Sequence, residues 1–184
     1  MLSREEAWGL VLEWTESERL RAHALAVEAV MRDFAGRYGL DEGLYGLTGL
    51  LHDADYGRWP DEHPQRVCAW LEGRGEREMA RAVLAHCPWN SVLRDNLLAV
   101  ALVASDEIAG FVVACALVRP DRTLGLSAKG VSKKLRTPSF AAGVDRAEVA
   151  EGFRLIAAAV GGSEDDHMQR VINAIHAGRG ALGL

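Results

Sequence analysis

Six side chains in this sequence combine imidazole nitrogen with carboxylate oxygen: His23, the adjacent pair His52-Asp53, His63, His86 and Asp106. Both atom types are ligands for divalent first-row metals. Adjacent residues point at one spot only where a helix ends, and the apolar run Leu44-Tyr45-Gly46-Leu47-Thr48-Gly49-Leu50-Leu51 ends at His52-Asp53. Taken alone, that pair describes a core histidine beside a helix-terminal carboxylate. The other four residues change the reading, because each lies on its own expected helix or at a helix edge. Asp106 has the weakest structural explanation, since an unpaired carboxylate inside an apolar helix is costly.

The elements that must position these residues read as helices throughout. Ser3-Arg4-Glu5-Glu6 has capping-box spacing, with Ala7, Leu10, Val11 and Trp14 following at helical intervals. A second helix is expected from Glu16–Ser17 to Tyr38, with His23 one residue from its apolar stripe and Gly39 as its stop. Asp41 caps a third that ends at His52-Asp53. Residues 54–62 carry Gly and Pro without periodicity and read as a loop. His63-Pro64 opens a fourth helix, with Pro in a tolerated first-turn position, and a fifth runs from Glu76 to Ala85 and ends at His86-Cys87-Pro88. Residues 91–118 read as one long helix carrying Asp106. A short helix over 127–135, one from Asp145 to Val160 and one from Ser163 to about His176 complete the chain. No strand, repeat or linker is expected, so the fold class is all-α: a compact single-domain helical bundle over residues 1–184.

Composition narrows the function classes. The net charge of −5 speaks against non-specific nucleic-acid binding. Three cysteines, Cys68, Cys87 and Cys115, lack CxxC spacing and suggest reduced thiols rather than a disulfide framework. Residues 97–118 raise the question of a membrane span, but Asp106 and Glu107 near the middle would each cost about 2.5–3.5 kcal/mol there. With no signal-peptide apolar region at the start, a cytoplasmic location without membrane contact is expected. His167 and His176 read as surface residues. Cys87 is a conceivable soft ligand beside His86, but packing is the expected role.

The motifs His23-Ala-Leu-Ala-Val-Glu28, Leu50-Leu51-His52-Asp53 and Ala104-Ser105-Asp106-Glu107 resemble those of the HD superfamily of metal-dependent phosphohydrolases. The resemblance covers about residues 17–118. Within the C-terminal extension, 119–184, the segment Ser139-Phe140-Ala141-Ala142-Gly143-Val144 looks like a small bacterial branch of predicted hydrolases; so does Ala116-Leu117-Val118-Arg119-Pro120. The resemblance implies that His23, His52, Asp53 and Asp106 hold a first metal. His63 and His86 resemble the extra pair of two-metal members such as the HD-GYP phosphodiesterases and the diadenosine tetraphosphate hydrolases. It implies that this pair holds a second metal with Asp53 bridging.

The cofactor would be one or two divalent ions among Mn, Fe, Co, Ni, Zn and Mg. The partner would be a small phosphorylated substrate, hydrolysed through a metal-activated hydroxide. Two cations about 3.5–4 Å apart can bind such a nucleophile and neutralise charge developing on a phosphoryl group. A metal- or nucleotide-binding sensor without turnover is the alternative.

Two departures shape the expectation. The HD-GYP pattern has Lys four residues after the motif His, where this chain has Tyr56, and no Gly-Tyr-Pro follows His86. Cleavage of cyclic di-GMP is therefore not expected. Asp55, Tyr56 and Arg58, in the loop after Asp53, are the candidates beside Asp53 for catalytic roles, chiefly leaving-group acid. A basic run of Lys129, Lys133, Lys134, Arg136 and Arg146 is either a solvated face or, folded over the metals, a phosphate-binding surface.

Overall fold

The computed structural model describes residues 2–184; Met1 lies outside them. The described residues form ten α-helices and two short 3-10 turns, with no strand among them. In order these are α1 (Arg4–Trp14), α2 (Glu18–Tyr38), α3 (Glu42–Leu51), α4 (Gln65–Glu72), α5 (Arg77–His86), α6 (Leu97–Val103), α7 (Asp106–Leu117), α8 (Ala128–Leu135), α9 (Arg146–Val160) and α10 (Glu164–Ala177). The 3-10 turns are Pro60–Glu62 and Pro88–Asn90.

The helix starts follow from local chemistry. Ser3, Ser17, Asp41, Asn96, Ser127, Asp145 and Ser163 each accept a backbone N–H of the first turn through the side chain. Such caps occupy donors that have no partner within the helix. Ser3 and Ser163 complete capping boxes with Glu6 and Asp166. α2 ends at Gly39, whose left-handed φ of 67° is open to glycine at little steric cost.

α2 is the axis of the bundle. α3, α6, α7 and α10 all pack on it. α3 lies closest, because Gly49 has no Cβ; a Cβ there would sit 3.0 Å from the carbonyl carbon and oxygen of Val27. That close approach sets His52, just past α3, beside His23 on α2. α1 is clamped to α2 by Arg4, which donates to both oxygens of buried Glu28 at 2.7 and 2.9 Å. The far end of α1 reaches the loop after Asp53: Thr15 Oγ1 donates to Ala54 O at 3.0 Å, and the Trp14 and Trp59 rings meet edge-on.

The fold departs from the sequence expectation in three places. Residues 91–118 are not one helix: 91–96 is irregular, and the helix breaks at Ala104–Ser105 into α6 and α7. α9 packs against the break, with the Cα of Ala104 only 2.8 Å from where a Cβ on Gly152 would lie. Asp106 is thus the first residue of α7, where the helix dipole favours a carboxylate, rather than a mid-helix charge. The apolar stretch 97–117 is long enough to cross a membrane, but most of it is buried inside the bundle.

At the second departure, α4 starts at Gln65 rather than His63, and His63 itself is extended. Thirdly, His167 is buried, not a surface residue; its Nε2 lies 2.9 Å from the Gly161 carbonyl. Trp89 is 66% exposed, although His86 and Cys87 just before it are buried.

Candidate metal centre

Four helices and one loop deliver the six candidate ligands to one region. α2 supplies His23 and the C-terminal end of α3 supplies His52, with Asp53 next in the chain. The extended segment before α4 brings His63, the last turn of α5 brings His86, and the first turn of α7 brings Asp106. Their rings form a chain of edge-on neighbours: His23–His52 at 5.2 Å between centroids, and His52–His86 and His63–His86 at 5.3 Å each. His52 is wholly buried, whereas the side chains of His23, Asp53 and Asp106 keep about a fifth of their surface exposed. The cluster therefore opens to solvent on one side.

The first set is His23, His52, Asp53 and Asp106. His23 Nε2 lies 3.0 Å from Asp106 Oδ1 and 3.3 Å from His52 Nε2, and His52 Nε2 lies 3.3 Å from Asp106 Oδ1. Asp53 Oδ2 lies 3.5 Å from His52 Nε2 and 3.8 Å from His23 Nε2. Ligands about 2.0–2.2 Å from one ion are separated by about 2.8–3.6 Å, depending on whether the geometry is octahedral or tetrahedral. The separations among His23, His52 and Asp106 fit one shared cation, and Asp53 stands at the edge of that set.

Asp53 turns its other oxygen the opposite way. Oδ1 lies 3.4 Å from His63 Nε2 and 3.6 Å from His86 Nε2. One carboxylate thus faces imidazoles on two sides with different oxygens, and three overlapping groups, His23–His52–Asp106, His52–Asp53–His86 and His63–His86–Cys87, are each close enough to hold a metal ion.

Three of the four imidazoles are locked in the same tautomer. His52 Nδ1–H donates to Gly49 O at 2.8 Å, His63 Nδ1–H to Asp55 Oδ1 at 2.7 Å, and His86 Nδ1–H to Val83 O. Carbonyls and carboxylates only accept, so the proton sits on Nδ1 and Nε2 faces the cluster. Outer partners of this kind accompany metal-ligating histidines and fix ring orientation. On the remaining imidazole, Gly110 of α7 leaves space beside Nδ1 of His23.

The electrostatics of the bare cluster are strongly perturbed. Burial works to lower the His52 imidazole, but Asp53 and Asp106 outweigh it and raise it to about 10. Burial opposes ionisation of both carboxylates, and the surrounding histidines nevertheless hold Asp53 and Asp106 well below the ordinary carboxylate range. A cation between them would offset the charge of these two carboxylates.

The other expected site residues fall in different places. Asp55 is fully buried with both oxygens engaged, Oδ1 by His63 and Oδ2 by the Val67 N–H at 3.0 Å. Asp55 thus orients His63 and anchors the start of α4, with neither oxygen free for the leaving-group role expected of it. Tyr56 is 45% exposed, its ring edge-on to His63 at 5.3 Å. Arg58 is not directed at the cluster; its guanidinium lies over the Trp59 ring at 4.8 Å.

The basic run is not drawn to the cluster either. Arg146 donates to five backbone carbonyls, those of Leu135, Thr137, Phe140, Ala141 and Val144, and so holds the 137–144 loop instead of offering its fork to phosphate. Lys134 Nζ lies over the Phe140 ring at 4.3 Å. Arg136 lines a cleft between α8, α9 and α10 together with Glu164 and Asp165. Lys129 and Lys133 are exposed on α8.

Four further residues join the site. Arg94 donates to Ala85 O at 3.1 Å, His86 O at 3.0 Å and Glu148 at 2.7 Å, tying the end of α5 to α9. Burial, and then neighbouring Asp106, raise Glu107 to about 7, while its Oε2 accepts the Asp145 N–H at 3.1 Å. Trp89 lies beside His63, 6.4 Å between ring centroids. Cys87 Sγ lies 3.4 Å from His63 Nε2 and 3.5 Å from His86 Nε2, a placement that its expected packing role does not describe. Cys87 and Glu107 carried a signal in the sequence, their adjacency to His86 and Asp106.

Protein-family models, curated proteins and solved structures were all compared with this chain, and none matches it.

Proposed function

We propose that this chain is a two-metal phosphohydrolase of the HD type, acting on a nucleotide or a related small phosphate ester. The observation that carries the reading is Asp53, whose two oxygens face two separate sets of imidazole Nε2 atoms. The order His23, His52-Asp53, His63, His86, Asp106 along the sequence supports the same reading through its resemblance to that superfamily. Divalent cations held by these residues, drawn from Mn, Fe, Co, Ni, Zn and Mg, would supply an activated water and offset charge developing on a phosphoryl group.

The protein's own groups do the rest. His52, buried and held by Gly49 O, fixes the geometry of the first set. Asp55 keeps the Nε2 lone pair of His63 directed at Asp53. The exposed side of His23, Asp53 and Asp106 admits substrate. Tyr56 and Trp89, both partly exposed and both against His63, offer aromatic surface at the rim. Base–aromatic stacking is worth about 1–3 kcal/mol per base, which favours a nucleotide over a bare phosphate ester.

One observation favours a second reading, a nucleotide-binding sensor: burial of Asp55 removes the nearest carboxylate from the role of leaving-group acid. The test covers both. Protein reconstituted with each metal is assayed for phosphate release from nucleotides, dinucleoside polyphosphates and simple phosphate esters. Metal-dependent turnover, lost in Asp53→Ala with helical content unchanged, is the expected result. Nucleotide binding without turnover at full metal loading would select the sensor; turnover indifferent to chelation would refute the metal mechanism.

A further inference from the structure

Cys87 ends α5 with an extended backbone that turns its side chain back over the His86 ring. It is 2% exposed, and its sulphur lies against both imidazoles of the second ligand set. We propose that Cys87 is a thiolate ligand of that second site, completing a tetrahedral N2SO set with His63, His86 and Asp53. The set suits a borderline-soft divalent cation such as zinc, iron or cobalt. The proposal rests on the two-metal reading and adds a ligand and a metal preference to it.

Donor counting comes first. With Nδ1–H of His63 committed to Asp55 and that of His86 to Val83 O, both Nε2 atoms are acceptors. Asp53 Oδ1, within 3.4 and 3.6 Å of them, is another. Among the described residues, the donor facing both Nε2 atoms is the Cys87 S–H, a weak donor with a single hydrogen. One proton cannot satisfy both buried imidazole acceptors, and buried acceptors without partners are costly. A cation satisfies all of them together.

Distances come second. A tetrahedral ion with nitrogen at about 2.0–2.1 Å and sulphur at about 2.3 Å gives sulphur–nitrogen edges of about 3.5 Å. The same ion gives nitrogen–oxygen edges of about 3.3–3.5 Å, whereas an octahedral sulphur–nitrogen edge would be about 3.1 Å. The sulphur–nitrogen separations here are 3.4 and 3.5 Å. The nitrogen–oxygen separations are 3.4 and 3.6 Å. The sulphur also lies 3.7 Å from His86 Nδ1, over the ring face, so the set closes on one ion when the Cys87 side chain swings toward the Nε2 lone pair.

Chemistry comes third. Thiolate selects zinc, iron and cobalt over magnesium and calcium, whereas the first set, with imidazole and carboxylate alone, accepts a wider range. When the cation binds, the S–H bond breaks, its proton passes to solvent, and the sulphur lone pair forms the metal bond. The two sites then differ in preference, with the softer ion in the second.

Cobalt(II) is the probe. Wild type titrated with cobalt should bind two ions per chain and develop a thiolate-to-cobalt charge-transfer band in the near ultraviolet. X-ray absorption of the same sample should show one sulphur neighbour at about 2.3 Å shared over two cobalt ions. Cys87→Ser should lose the band and weaken the second site by more than tenfold, since even an outer partner is worth about 10–100-fold. Cys68→Ser, whose sulphur contacts the Ala80 carbonyl, should retain both. Two bound cobalt ions with no sulphur neighbour would overturn the thiolate and leave the two-metal reading standing. Fewer than two ions and no sulphur would overturn both. The absorption measurement on wild type needs no variant, so a Cys87→Ser protein that fails to fold does not protect the idea.

Discussion

Replacing Asp55 by Asn changes one atom and tests how the second site is built. Asp55 takes two donors, the Nδ1–H of His63 at 2.7 Å and the Val67 N–H at 3.0 Å. An asparagine of the same shape has one acceptor and one donor group. If its oxygen keeps Val67, its amide N–H faces Nδ1 and pushes the His63 proton onto Nε2, the atom facing Asp53. Removing a tautomer-fixing carboxylate in this way costs hydrolases with a Ser-His-Asp triad about 10⁴ in turnover while leaving geometry intact. For a metal site the loss should be about 10–100-fold in affinity, or about 1.4–2.7 kcal/mol.

The fold should barely notice, because the α4 anchor survives and the side-chain volume is unchanged. A loss of about 1 kcal/mol would lower Tm by about 2–4 °C in a chain of this size. The assay is calorimetric metal titration, read beside a thermal melt of metal-free protein. The weaker of the two binding events should shift and the other should not, with Tm within that margin. Two events of wild-type affinity in Asp55→Asn would refute the argument that this carboxylate holds His63 for metal.

Two other perturbations address the scaffold and the rim. Gly49→Ala drives a Cβ to 3.0 Å from the Val27 carbonyl, so α3 must move off α2. Overpacking of this kind costs about 1–3 kcal/mol, and a lowered Tm together with weaker binding at the first site, which spans those two helices, is the expected outcome. Trp89→Ala should raise KM for nucleotides about tenfold, corresponding to about 1–2 kcal/mol of lost stacking, with kcat and the KM for a small non-aromatic phosphate ester unchanged. Equal losses on both substrate types would mean that Trp89 supports the site rather than the base.

The helices were legible because their signals are local. Ser3, Ser17, Asp41, Asp145 and Ser163 cap where a cap residue stands before an apolar period. The break between α6 and α7 was not, because the run from Leu97 to Leu117 carries Gly110 but neither Pro nor any other punctuation at the break. What interrupts it is α9 seated on Ala104, a contact made from about fifty residues away in the chain. The basic run misled for a related reason: charge is visible in a sequence, but the carbonyls that occupy Arg146 are not.

The six clustered side chains were legible from residue types in order, while their hydrogen-bond partners were hidden in the fold. Their origins follow a rule that the sequence obeys without displaying. His52 and His86 each stand at the C-terminal end of a helix and donate Nδ1–H to the carbonyl three residues earlier, Gly49 O and Val83 O. Carbonyls in the last turn of a helix have no partner within it, so a histidine placed there finds an acceptor on its own helix. His63 follows a 3-10 turn and is extended, with no such carbonyl behind it. That position needs an acceptor from elsewhere, and Asp55, eight residues upstream, supplies it. A carboxylate fully buried beside the cluster is therefore the complement of one histidine's lack of a helix, which is why Asp55 belongs to the architecture that holds His63.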